Sequence, residues 1–69
     1  MNDYMTIKQI GNTEIVKVTH DDGDQSIALM EGTYTHKLVP FYQPDLPEKF
    51  RGNRPSEAEA IQQCEEYRV

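Results

Sequence analysis

Residues 4–31 read YMTIKQI-GN-TEIVKVTH-DDGD-QSIALME, three apolar-alternating runs separated by two glycine-containing turns. Gly11-Asn12 suits a two-residue hairpin loop, with glycine first as a type II′ turn requires. Asp22-Gly23 is a type I′ signal. From the first turn, Ile10 is expected to face Thr13, Ile7 to face Val16 and Met5 to face Val18. From the second, Asp21 faces Asp24, Val18 faces Ile27 and Val16 faces Leu29. The two turns together predict one buried face made of Met5, Ile7, Val16, Val18, Ile27 and Leu29. A slip of one residue would move a whole strand's apolar set to the other face, because side chains alternate with period two. One tension stands in this register: Asp21 opposite Asp24 sets like charges face to face, which a longer loop would relieve.

Outward from these runs, a turn at Glu31-Gly32 predicts a fourth strand that places Tyr34, His36 and Leu38 on the same buried face. The expected fold is α+β: a four-stranded antiparallel meander with one C-terminal helix packed on one face. Residues 1–69 form a single small domain, with strands over 4–10, 13–20, 25–31 and 33–39. Prolines at 40, 44, 47 and 55 break any helical or alternating pattern. Residues 40–55 therefore read as an extended connection, pinned to the core edge by Phe41, Leu46 and Phe50. The helix is expected over 57–67. Ser56 with Glu59 has the spacing of a capping box. Glu57 and Glu59 suit the positive end of the helix dipole, and Arg68 suits the other end. Ala60, Ile61, Cys64 and Tyr67 make the stripe that should cover the sheet.

The chain has 69 residues, 36% of them hydrophobic, and no tryptophan. A domain of this size buries only about 60% of its unfolded surface, so a partner or self-association would support its thin core. A single cysteine excludes an intrachain disulfide and suits a reducing, cytoplasmic setting. The N-terminal stretch lacks the basic and apolar regions of a signal peptide, and no apolar run approaches the ~20 residues of a membrane span. The net charge of −5 argues against phosphate-driven nucleic-acid binding over the whole surface.

Few residues suggest catalysis. Asp21, Asp22 and Asp24 flank a glycine as in oxygen-rich calcium loops, but Thr33 stands where a loop starting at Asp22 needs its bidentate acid. His20 and His36, with Cys64, have no metal-like spacing. Glu65 and Glu66 beside Cys64 disfavour a thiolate. No phosphate-binding glycine loop is present. The segment 44–49 fits a P-x-x-P-x-basic pattern of the kind docked in polyproline II form. No enzyme activity, cofactor or metal is expected.

The function expected from sequence lies on the sheet face opposite the core. In the predicted register that face carries Lys8, Ile10, Ile15, Lys17, Met30 and Lys37, an apolar patch rimmed by lysines. Such patches mark protein-partner or self-association sites. The alternative is weak nucleic-acid binding by Lys8, Lys17 and Lys37, with Arg51 and Arg54 nearby. A third surface is acidic: Asp21, Asp22 and Asp24 at one turn, and Glu57, Glu59, Glu65 and Glu66 on the helix, able to stand in for phosphates in a basic groove.

The meander followed by Ser56-Glu57-Ala58-Glu59-Ala60-Ile61 is similar in layout to short accessory proteins of phages and mobile elements. The resemblance implies a non-catalytic protein that binds and inhibits or regulates a larger host complex.

Overall fold

The structure is a computed structural model describing residues 1–47 and 52–68. Four antiparallel strands, β1 (Asp3–Ile10), β2 (Thr13–Thr19), β3 (Gln25–Glu31) and β4 (Tyr34–Pro40), lie in sequence order, followed by helix α1 (Glu57–Glu66). The α+β meander with one C-terminal helix is therefore present. Its register is not the expected one, and the difference moves the site.

The β1–β2 turn forms as read. Gly11 sits at φ +58° in the first loop position and Ile10 pairs with Thr13. The ladder then slips at Ile7, an extra residue between Thr6 and Lys8. This bulge pairs Thr6 with Val16 and Met5 with Lys17, not Ile7 with Val16 and Met5 with Val18.

The β2–β3 loop is longer than two residues. Thr19 pairs with Gln25, leaving His20–Asp24 as five loop residues. The His20 amide donates to the Asp24 carbonyl at 2.8 Å, and the Gly23 amide to the His20 carbonyl at 2.9 Å. Asp21 and Asp24 thus escape the unfavourable opposition. The cost is a one-residue shift along the ladder: Val18 meets Ser26, Lys17 meets Ile27 and Ile15 meets Leu29.

The third turn is Gly32-Thr33, with Gly32 at φ +60° in first position and Glu31 paired to Tyr34. It repeats the glycine-first geometry of Gly11-Asn12. An extra residue at His36 shifts the ladder again, so Leu29 pairs with Lys37 and Ala28 with Leu38.

These slips divide the expected core between the two faces of the sheet. Ile15, Ile27, Leu29 and Val39 lie under α1 with Phe41, Ala60 and Cys64, and Ile61 packs beside them. Val16, Val18 and Ala28 lie on the opposite face with Met30 against them. Met5 and Ile7, expected in the core, are exposed on edge strand β1, as are Tyr34 and Leu38 on β4. His36 is half-buried, bonded to Glu31 at 3.0 Å.

The helix starts as the capping box requires. The Glu59 amide donates to Ser56 Oγ at 3.1 Å, and the Ser56 amide donates to Glu59 Oε1 at 3.3 Å. Ala60 and Cys64 are the buried members of its stripe, while Tyr67, at the C-cap, is exposed. In the connection, Phe41 and Leu46 are buried as expected. Phe50, Arg51 and the Glu48-Lys49 end of the proline pattern lie outside the described residues. Arg54 reaches back to Asp24, and the Tyr42 amide donates to the Pro55 carbonyl at 2.7 Å. The first bond ties the end of the connection to the β2–β3 loop, and the second joins its two ends to each other.

Candidate interaction face

Rows of paired residues running across the strands define each face. On the helix side one row reads Lys8, Ile15, Leu29, Lys37. Two lysines bracket two buried apolar residues, and α1 lies over them. Lys8 Nζ is 2.7 Å from Glu65 Oε2, and Lys17 Nζ, one row away, is 2.9 Å from Glu57 Oε2. Lys37 Nζ stands 5.4 Å above the Tyr67 ring. Each lysine turns its charge toward the helix or its C-cap residue.

The patch expected from sequence is therefore not assembled. Ile15 is fully buried beneath α1, Ile10 sits beside the first turn, and Met30 is on the other face. Lys8, Lys17 and Lys37 face the helix and form no open cationic platform. Of the acidic residues, Asp21 and Asp22 are exposed at the loop, whereas Asp24 is half-buried and held by Arg54. Glu57 and Glu65 pair with lysines, Glu59 closes the cap, and Glu66 accepts from Gln62. The helix acids thus serve the fold at least as much as the surface.

The face away from α1 is different in character. Its rows are Tyr4, Val18, Ser26, Pro40; then Thr6, Val16, Ala28, Leu38; then Glu14, Met30, Thr35. Small buried residues occupy the middle strands, and larger side chains stand at the margins. Tyr4 is 59% and Leu38 48% exposed. None of the strand lysines lies here. Toward one end, Tyr4, Thr6, Glu14, Val16, Met30 and the Gly32-Thr33 turn enclose a depression of about 290 Å³. Sequence reasoning missed this face because it assigned Val16, Val18 and Leu38 to the helix side. The glycine-first rule, applied at residue 32 as at residue 11, would have corrected the third turn.

Among the described residues, no group of three or more His, Cys, Asp or Glu side chains is placed to hold a metal ion. His20 Nε2 lies 3.1 Å from Ser26 Oγ, and His36 bonds Glu31. Cys64 is buried in the core, its thiol 3.8 Å from the Ile27 carbonyl, and burial pushes its pKa up. Such a thiol is withheld from thiolate chemistry. Among the described residues, no helix is long and apolar enough to cross a membrane. Comparison with protein-family models, with curated proteins and with solved structures finds no match to this chain.

Proposed function

We propose that the chain is a small non-catalytic protein-interaction domain whose contact surface is the sheet face away from α1. The observation that carries this reading is the pair of rows ending in exposed Tyr4, Pro40 and Leu38, on a face that no described helix or strand covers and that carries none of the strand lysines. A sheet normally buries its apolar face against a second layer, and large apolar side chains left exposed at the margins of such a face suit a protein contact. In its concrete form the reading is an accessory protein that inhibits or regulates a larger complex, acting in the cytoplasm. The general layout supports the first part and the single unpaired thiol the second.

The test is affinity co-purification from nuclease-treated host lysate with three variants beside the parent chain. Tyr4→Asp and Leu38→Asp change exposed residues of the proposed face. Gln63→Lys changes the outer surface of the helix. A partner retained by the parent and Gln63→Lys chains and lost by both aspartate variants is the expected result. A partner retained by the aspartate variants, with circular dichroism showing them folded, would overturn the reading.

A further inference from the structure

Four carboxylates among the described residues are half-buried: Glu14, Asp24, Glu57 and Glu65. Three of them hold a cation, from Arg54, Lys17 and Lys8 respectively. Glu14 holds none. Its Oε1 accepts from Thr6 Oγ1 at 2.9 Å, a neutral donor. It lines the depression on the uncovered face together with its cross-strand partner Met30, Val16 and Tyr4. A carboxylate placed against apolar side chains loses hydration and gains most from a charged partner that brings its own apolar stem. The fold supplies such partners to the other three and leaves this one open toward solvent.

Resting on the proposed interaction face, we infer that this depression receives an arginine side chain from a basic protein partner. The stem would lie on Val16 and Met30, the guanidinium would meet the free Oε2 of Glu14, and the Tyr4 ring would offer it a face. Arginine suits such a place because its planar cation is weakly hydrated and packs on aromatic rings. A volume of about 290 Å³ accommodates one long side chain. Charge complementarity favours the same occupant: the chain carries −5, so a basic partner is attracted where a second copy of this chain is repelled.

The experiment uses the full chain, isotopically labelled, titrated with N-acetyl-arginine amide and followed by amide and methyl NMR. The control ligand is N-acetyl-citrulline amide, of nearly the same shape but uncharged. The expected Kd is on the order of millimolar, as for a single small contact. Shifts should centre on Tyr4, Thr6, Glu14, Val16, Met30 and Thr33, and should weaken in high salt. Glu14→Gln should reduce affinity about tenfold, since it removes a charge-assisted bond. Thr33→Arg, at the exposed turn, should reduce it by placing a competing cation at the mouth, and it keeps Glu14 in case Glu14→Gln perturbs the fold. Equal shifts with arginine and citrulline amides, or undiminished binding by folded Glu14→Gln and Thr33→Arg chains, would overturn the proposal. Capture of a partner still dependent on Tyr4 and Leu38 would then show that the interaction face survives without the arginine.

Discussion

Arg54 holds Asp24 with both of its terminal nitrogens, Nη1 at 2.8 Å from Oδ1 and Nη2 at 3.1 Å from Oδ2. The pair ties the end of the proline-containing connection to the loop between β2 and β3. Arg54 also approaches the Phe41 carbonyl at 3.4 Å, near the start of that connection. Gln25 and Gln43 add a second tie, each donating to the other at 3.1 and 3.2 Å.

Removing this clamp should loosen the domain in a pH-dependent way. The hydrogen bond from Arg54 holds the Asp24 carboxyl below its usual value. A depressed folded pKa means the unfolded chain binds the proton more readily. The pair therefore stabilises fully above the unfolded value of about 3.9 and loses its contribution as pH falls through the lower folded value. Arg54→Ala should cost about 1–2 kcal/mol at pH 7 and much less at pH 2. Urea unfolding at both values checks this, and an equal cost at each would contradict it.

Ile15 and Met30 should respond very differently to aspartate. Ile15 has no exposed surface and sits under α1, whereas Met30 is half-buried at the margin of the uncovered face. Ile15→Asp buries an unpaired charge and should unfold the chain, a loss of about 4 kcal/mol or more. Met30→Asp should leave it folded, at a cost of about 1 kcal/mol. Thermal melts followed by circular dichroism read both, and similar melts for the two variants would refute the observed register.

Ser56→Ala should lower stability by about 1 kcal/mol by opening the capping box, and Ser56→Asp should restore most of it. Chemical denaturation measures the difference. An unchanged midpoint for the alanine variant would mean that the helix start is held by its packing on β3 and β4 alone.

Cys64 should be silent toward a thiol reagent in the native state at pH 8. Burial both blocks access and keeps the thiol protonated. Labelling by a colorimetric disulfide reagent should accelerate only once urea unfolds the chain. Rapid native labelling would show that α1 opens readily from the sheet.

The elements were legible because their signals are local. Turn glycines mark the hairpins, alternation marks the strands, and Ser56 with Glu59 marks the helix start. The faces were harder, because each depends on counting residues across a turn. At Asp22-Gly23 the turn signal was strong, yet Asp21 and Asp24 could not sit opposite each other, and Arg54, thirty residues away, offered Asp24 a better partner. At Glu31-Gly32 the glycine belonged in the first loop position. The bulges at Ile7 and His36 lie on the two edge strands, where nothing beyond the strand enforces regular pairing. The lysines looked like a solvent-facing set because their bond to the helix is a tertiary matter. The isolation of the Glu14 carboxylate shows only when the pairings of the other half-buried carboxylates are known.

The extra residue in β1 has a wider meaning for the outer border of the sheet. Every other β1 residue from Asp3 to Ile10 has its place opposite β2, so a chain lacking Ile7 would keep all those partners and form an unbroken ladder. Its outer border would then be straight and bare, carrying Tyr4 and Met5, which are already exposed. Straight bare borders of this kind template the addition of further strands, and bulges oppose that growth. The bulge at Ile7 breaks that border and so opposes the addition of a further strand.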